Sequence, residues 1–316
     1  MANFSLTQIE YVLSVAKHGH FAKAAAACHV TQPTLSMQIQ KLEDDLGAVL
    51  FDRSKKPILL TPIGERLIQQ MQLIHFEAKK IEEIIKQGEG AIKKGELRLG
   101  IIPTITPYLL PRLMKGMAKL YPEINLVISE LQTSKIIDAL ENDEIDVGLL
   151  ATPLKHPRIF EYALFYEPFY ILCRKDHELA AKKKVHHQDL KFDDLWLLEE
   201  GHCLRHQVLD VCSLKKNRKD KKQFSFESGN LETLKNLVES YGGHTLIPQL
   251  ASEKIGRNTE LKEFERPIPA REVGLVYRRE HYKVELIEAL GEAILDSIPE
   301  ELRKLRQKDL DVLPVT

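Results

Sequence analysis

The sequence predicts a multidomain α/β protein: a small helical N-terminal domain, a long linker helix, then an α/β region of two lobes. Three observations carry this. Apolar residues recur at helical spacing through the Ala-rich first sixty residues. A heptad stripe runs through the next thirty. From Gly95 onward, short apolar runs alternate with helix-period segments, the pattern of an α/β domain with mostly parallel sheets. A chain of 316 residues has room for this plan, at roughly 100–200 residues per domain.

In the first domain, residues 1–60, Leu6, Ile9, Val12, Leu13 and Ala16 mark one helix, and Gly19 stops it. Phe21, Ala24, Ala25 and Cys28 mark a compact second helix. Thr31 is a good N-cap for a third, with Pro33 tolerated in the first turn and Gly47 at the end. Leu35, Ile39, Leu42 and Leu46 form its apolar stripe, and residues 49–60 read as a β-hairpin with Lys55-Lys56-Pro57 at the tip. Thr61-Pro62 opens the linker, residues 61–90. Within it Leu67, Met71, Ile74, Ala78, Ile81 and Ile85 alternate spacings of four and three. Such an a/d seam is expected to dimerise, the alternative being that it packs on its own domain.

Beyond Gly95, strands are expected at residues 97–102, 126–128, 147–150, 169–173, 196–198, 245–247 and 273–277, with helices at 109–121, 136–140, 231–241 and 284–298. Regulatory lobe I is placed at 95–168 and 268–300 and lobe II at 169–267, with a charged, frayed tail from Pro299.

Charge and composition bound the function. Net charge is −1, so any contact with nucleic acid must come from a local surface. The N-terminus lacks a signal-peptide layout, and no apolar run reaches the ~18–20 residues that span a bilayer. Four cysteines are too few for a disulfide scaffold. A cytoplasmic protein without membrane contact is the expectation.

Three short helices, a tight turn and a hairpin make the plan of a winged helix-turn-helix. The third helix turns Thr34, Met37, Gln38 and Lys41 outward, with Gln32 in its first turn, where hydroxyl, amide and ammonium groups reach base edges and phosphates of double-stranded DNA. Lys55, Lys56 and Arg53 on the wing add phosphate contacts. The alternative is an ordinary solvated face. The wording of this segment closely resembles LysR-type regulators: Phe21-Ala22-Lys23-Ala24-Ala25, Val30-Thr31-Gln32-Pro33-Thr34-Leu35-Ser36, Leu50-Phe51-Asp52-Arg53 and Leu60-Thr61-Pro62-Ile63-Gly64. The resemblance implies a winged helix-turn-helix, a coiled-coil linker and a two-lobed, periplasmic-binding-protein-like sensor crossed twice by the chain. It also implies a homotetramer, a dimer of dimers, on partly palindromic sites, acting on RNA polymerase.

The sensor carries a second motif, Glu200-Gly201-His202-Cys203-Leu204-Arg205-His206, with Cys212 nine residues past Cys203. Positive charge from His202, Arg205 and His206 is expected to favour the Cys203 thiolate, which attacks peroxide to give sulfenic acid, and a second thiol converts that to a disulfide. A helix between the two would hold their Cα atoms about 13 Å apart, whereas a disulfide needs them within about 7 Å. Bond formation would therefore force a conformational change. The alternatives are two core cysteines, or zinc held by His202, Cys203, His206 and Cys212.

Gly201-His202-Cys203-Leu204-Arg205, Leu231-Glu232-Thr233-Leu234, Gly100-Ile101-Ile102-Pro103-Thr104 and Thr245-Leu246-Ile247-Pro248 resemble the peroxide-sensing members of the LysR family. That resemblance implies that Cys203 is peroxidatic and Cys212 resolving. It implies that Thr104 and Thr133 line a peroxide pocket, that His202 and Arg205 flank the thiol, and that a cellular dithiol reductant resets the switch. His206 departs from the pattern, in which an acidic residue stands there. The basic run 215–222 has no functional account. Cys28 and Cys173 read as packing residues, and His186, His187 and His244 show no ligand spacing. No cofactor or metal is expected, and no enzymatic activity. Two rivals are a regulator that binds a small effector reversibly between its lobes, with passive cysteines, and a thiol peroxidase.

Overall fold

The computed structural model describes residues 4–87, 94–212, 226–279, 281 and 283–315. The chain divides into two compact units, residues 1–92 and 93–316.

In the first unit, α1 (Leu6–His18) opens on a capping box: Ser5 accepts from the Gln8 amide while the Gln8 side chain accepts from the Ser5 amide. Gly19 closes it in the left-handed region. After α2 (Phe21–Ala27), the Thr31 hydroxyl caps α3 (Gln32–Leu46), and Gly47 ends it. Ile9, Val12, Val15, Ala24, Leu35, Ile39 and Leu42 form a closed core. The wing is a short antiparallel pair, β1 (Phe51–Asp52) and β2 (Leu59–Leu60). Gly64, in the first turn of α4 (Pro62–Gln87), lies under the Leu50 carbonyl, where a Cβ would approach to 2.2 Å. Only glycine lets the helix start there.

The linker stripe divides in two. Met71 is buried and Leu67 and Ile74 pack beside it on the same core, because α4 runs against α1. These three pack on their own domain, the alternative reading of the stripe, though Leu67 and Ile74 are only half-buried there. Ala78 is half-buried and Ile81 is 62% exposed, so the open part of the stripe begins there. The Ile85 side chain lies outside the described residues.

The second unit begins with β3 (Gly95–Ile101), α5 (Thr106–Leu120), β4 (Ile124–Glu130), α6 (Thr133–Glu141) and β5 (Val147–Thr152). The long β6 (Ile159–Arg174) leads to β7 (Lys184–Val185), α7 (Cys203–Val211), α8 (Leu231–Tyr241), β8 (His244–Pro248) and β9 (Thr259–Phe264). The chain returns through β10 (Ile268–Arg278), α9 (Val284–Ser297), α10 (Glu300–Lys304) and β11 (Leu310–Val312).

Strands β4, β3 and β5 are parallel and carry the first lobe, with α5 and α9 packed together. Beyond these three strands the sheet is largely antiparallel, unlike the mostly parallel sheet that the alternation suggested; only the short pairs β10–β11 and β7–β9 are parallel among the described residues. β10 runs antiparallel to β5 and β6, and the second half of β6 pairs antiparallel with β8 and β9. The reason is topological: β6 leaves the first lobe and β10 re-enters it, so the two crossing strands run in opposite directions.

Two local expectations fail. Residues 196–198 do not form a strand; isolated bridges at Leu195–His244 and Leu198–Ser228 anchor a buried segment. The tail beyond Pro299 is built rather than frayed. β11 pairs in parallel with β10, and Leu302 and Leu313 are buried in the two lobe cores.

Candidate functional site

Thr104 follows β3 and Thr133 follows β4, so both lie beyond the carboxyl ends of parallel strands, the usual ligand position in α/β sheets. Cys203 comes from the other lobe, as the first residue of α7. Gly201, at φ +94°, brings that helix start in against the first lobe; a Cβ there would lie 2.9 Å from the Gln132 side-chain oxygen, one residue before Thr133. The Thr133 hydroxyl and the backbone amides of Cys203 and Leu204 lie beside the Cys203 sulfur and favour its thiolate.

The positive charge on this thiol differs from expectation. It comes from Arg271, a fully buried residue of β10, rather than from the neighbours of Cys203 in sequence. Arg205 directs its guanidinium to the Leu198 carbonyl at 2.6 Å and to Glu227 at 2.9 Å. His202 is buried, and desolvation lowers its pKa despite Glu199 at 3.7 Å, so it is biased towards the neutral form. Both flank the thiol in sequence and hold its loop.

Arg271 is fixed on all sides. Its Nη1 donates to the Thr104 hydroxyl at 2.9 Å, Nη2 to the Thr104 carbonyl at 3.3 Å, and Nε to Glu167 at 2.9 Å. Glu167 stands opposite it in the β10–β6 register, and its other oxygen accepts the Leu250 amide at 2.7 Å. The pair thus sits where both crossing strands pass between lobes. Neither Arg271 nor Glu167 has a sequence pattern that marks a site; the one signal is a pair of charges, Arg271-Glu272, inside an otherwise largely apolar strand. Tyr108 adds a tie between lobes, donating to Glu232 at 2.6 Å while packing on both cores.

Burial pushes the Cys203 thiol up, and Arg271, Thr133 and the helix-start amides pull it back only in part. Cys212 follows α7 at its far end and is also buried, its thiol pushed up to about 12. Both are free cysteines. They face different cores: Cys203 packs in the first lobe, Cys212 in the second. The intervening helix is present, so their Cα atoms are about 13 Å apart. The four donors weighed for zinc are therefore not gathered, with Cys203 and Cys212 at opposite ends of α7. Cys173 is buried and raised to about 11; Cys28 packs at the edge of the N-terminal core.

On the N-terminal unit, Gln32, Thr34, Met37, Lys41, Lys55 and Lys56 are exposed. Gln38 is half-buried and accepts from Gln8 at 3.3 Å. Arg53 is paired with the buried Glu43 at 2.7 Å, beside the Phe21 ring, so its charge is already committed within the domain. No described helix is long and apolar enough to cross a membrane.

Residues 6–65 match the family of the bacterial regulatory helix-turn-helix protein, lysR family, and residues 91–299 match the LysR substrate binding domain. The DNA-binding transcriptional dual regulator OxyR of Escherichia coli K12 is 36% identical over 292 residues, 92% of this chain and 94% of its own. Full-length OxyR from Pseudomonas aeruginosa, carrying a Cys-to-Asp substitution, superposes with TM-score 0.80 at 33% identity, over 98% of this chain and all of that one. A peroxide-bound OxyR mutant from Corynebacterium glutamicum gives 0.61 at 29% identity, over 93% and 92%. The chain belongs to the LysR family of bacterial helix-turn-helix regulators, on its OxyR branch.

Proposed function

We propose that this chain is a DNA-binding transcription regulator that senses hydrogen peroxide through Cys203 and Cys212 and activates oxidative-stress genes. One observation supports it above the others: Cys203 meets a buried cation, a hydroxyl and two helix-start amides at the junction of the lobes, with a second thiol at the far end of the same helix. Peroxide enters beside Thr104 and Thr133. The Cys203 sulfur forms an S–O bond as the O–O bond breaks; the departing hydroxide takes up the thiol proton and leaves as water. The Cys212 sulfur then attacks the sulfenic acid, the S–S bond forms, the S–O bond breaks and a second water leaves. A cellular dithiol returns both sulfurs to thiols.

Joining the sulfurs unwinds α7, and that repacks regulatory domains within a homotetramer. The exposed face of α3 and the wing lysines bind duplex DNA, and the change in spacing or bend of the bound sites alters recruitment of RNA polymerase. Intact mass with thiol mapping after about one equivalent of peroxide should show two hydrogens lost and Cys203 joined to Cys212. The variant Cys203→Ser should show no such loss and no change in DNA footprint. Unchanged thiols in the parent protein would overturn the proposal in favour of a reversibly bound effector.

The DNA face makes its own prediction. Lys41→Ala and Lys56→Ala should weaken binding about equally for all sequences. Each should reduce the slope of log K against log salt by about one, the signature of one lost phosphate contact. A slope unchanged in both variants would remove these lysines from the interface.

A further inference from the structure

The second lobe gathers a set of metal-type donors that lie far apart in sequence. His177 caps the turn after β6, Asp194 ends the 3-10 turn Phe192–Asp194, and His244 opens β8. One ring nitrogen from each histidine and a carboxylate oxygen all lie within 4.8 Å of one another. His177 Nε2 is 2.7 Å from Asp194 Oδ2, and His244 Nδ1 is 3.1 Å from Asp194 Oδ1.

We propose that His177, Asp194 and His244 form a binding site for one divalent transition-metal ion of the Zn²⁺ type, its fourth position held by water. Two imidazoles and one carboxylate, with one position open, is a donor set that zinc accepts. Metal–ligand bonds of about 2.0–2.2 Å put tetrahedral ligand atoms roughly 3.4 Å apart, within the span of this cluster.

A second observation separates the cluster from an ordinary ion-pair network. His244 is fully buried, its Nε2 makes no hydrogen bond, and its Nδ1 meets Asp194 Oδ1 at 3.1 Å without the alignment of a regular hydrogen bond, although the two still attract each other. Buried polar atoms are paired in the great majority of cases, and a cation seated between these atoms would satisfy both. Asp194 is 37% exposed and His177 12%, which opens a path from solvent. Cys173 stands across the strands from His244, but its thiol turns towards the Glu260 carbonyl and stays out of the set.

Coordination has a definite proton consequence. His177 Nδ1 accepts the Leu179 amide at 3.2 Å, so in the neutral ring the proton sits on Nε2, facing Asp194. An ion bound at Nε2 moves that proton to Nδ1, and the Leu179 amide loses its acceptor. The turn Glu178–Ala181, anchored by the buried Leu179, must shift to accommodate this. Binding would also tie the 194–198 segment, which leads into the Gly201 loop, to the edge of β8.

The test is equilibrium dialysis of the full-length reduced protein against Zn²⁺, with metal content measured per chain. Asp194→Asn and His177→Gln serve as paired variants, each first checked for a metal-free melting temperature equal to the parent's. Zinc held by thiols is common to all three proteins, so the difference isolates this site. The parent should hold one more Zn²⁺ than either variant, with affinity at the site at least about 100-fold lower in the variants, since loss of even an outer-shell partner costs ~10–100-fold. Leu179 amide exchange should rise on zinc addition in the parent alone. Equal zinc content in parent and variants would overturn the proposal. If Asp194→Asn does not fold, His177→Gln, at a half-buried cap position, decides it.

Discussion

Replacing Arg271 by glutamine is expected to slow peroxide oxidation of Cys203 by more than tenfold and to destabilise the regulatory unit. The two effects have separate causes. Arg271 and Glu167 are both completely buried and paired at 2.7 Å. Removing one partner strands the other charge, which costs about 3–5 kcal/mol when the pair is buried. Glutamine keeps a donor for Thr104 but no charge for Glu167. The kinetic effect runs through sulfur. Burial already holds the Cys203 thiol above its ordinary value of about 8.5, and Arg271 is the largest influence lowering it. Because the folded thiol titrates high, thiolate is the minor species at neutral pH. The oxidation rate should therefore climb through neutrality and level off only above the ordinary thiol range. Arg271→Gln should move that plateau to still higher pH. Arg271→Lys keeps a charge without the planar fork, so it should recover part of the rate and little of the stability. Denaturant unfolding and competition kinetics across pH check both. Wild-type oxidation kinetics in Arg271→Gln would remove this residue from the chemistry.

The N-terminal unit was legible because its signals are local. Ser5, Thr31, Gly19 and Gly47 each act within one turn, and helical periodicity picks out Leu35, Ile39 and Leu42 without knowledge of anything distant. The thiol pair was legible too, since both cysteines and the helix between them occupy ten consecutive residues. What escaped were groups joined only by sheet register. Arg271 and Glu167 are 104 residues apart and meet because β10 crosses β6. No spacing encodes that pairing, so the sequence points instead to His202, Arg205 and His206, the nearest cations along the chain. The same limit hid the His177–Asp194–His244 cluster, whose members lie on three separate elements. The linker stripe is ambiguous for a different reason. A heptad pattern records that a face is apolar, not which surface covers it, and α1 reaches Leu67, Met71 and Ile74 within the chain itself. Composition misled at the tail, where many charges conceal two buried anchors, Leu302 and Leu313.

Oxidation should abolish hydrogen-exchange protection across α7 and also loosen the C-terminal strand. The first half is forced by length: Cα atoms about 13 Å apart along a helix must come within about 7 Å of each other, so most of the helical hydrogen bonds from Cys203 to Cys212 have to break. The second half follows from one contact. Gln207, fully buried at mid-helix, donates to the Leu313 carbonyl at 3.5 Å, and the Leu313 amide in turn donates to Ala270 beside Arg271. Leu313 also packs in the same core as Leu204, Val208 and Val211. When α7 unwinds, that apolar face leaves the core and Gln207 leaves Leu313, so β11 loses its cover on one side. Amides of residues 204–211 should exchange at least about a hundredfold faster in the disulfide form, an opening cost smaller by some 2.7 kcal/mol at RT ≈ 0.59 kcal/mol. The Leu313 amide should follow with a smaller increase. Strands β3, β4 and β5, whose ladder hydrogen bonds run between strands, should hold their protection and serve as the internal reference. If the sulfurs join while residues 204–211 stay protected, then the reduced helix is not the element that switches, and the change must lie in the loop before Cys203 or in residues beyond Cys212.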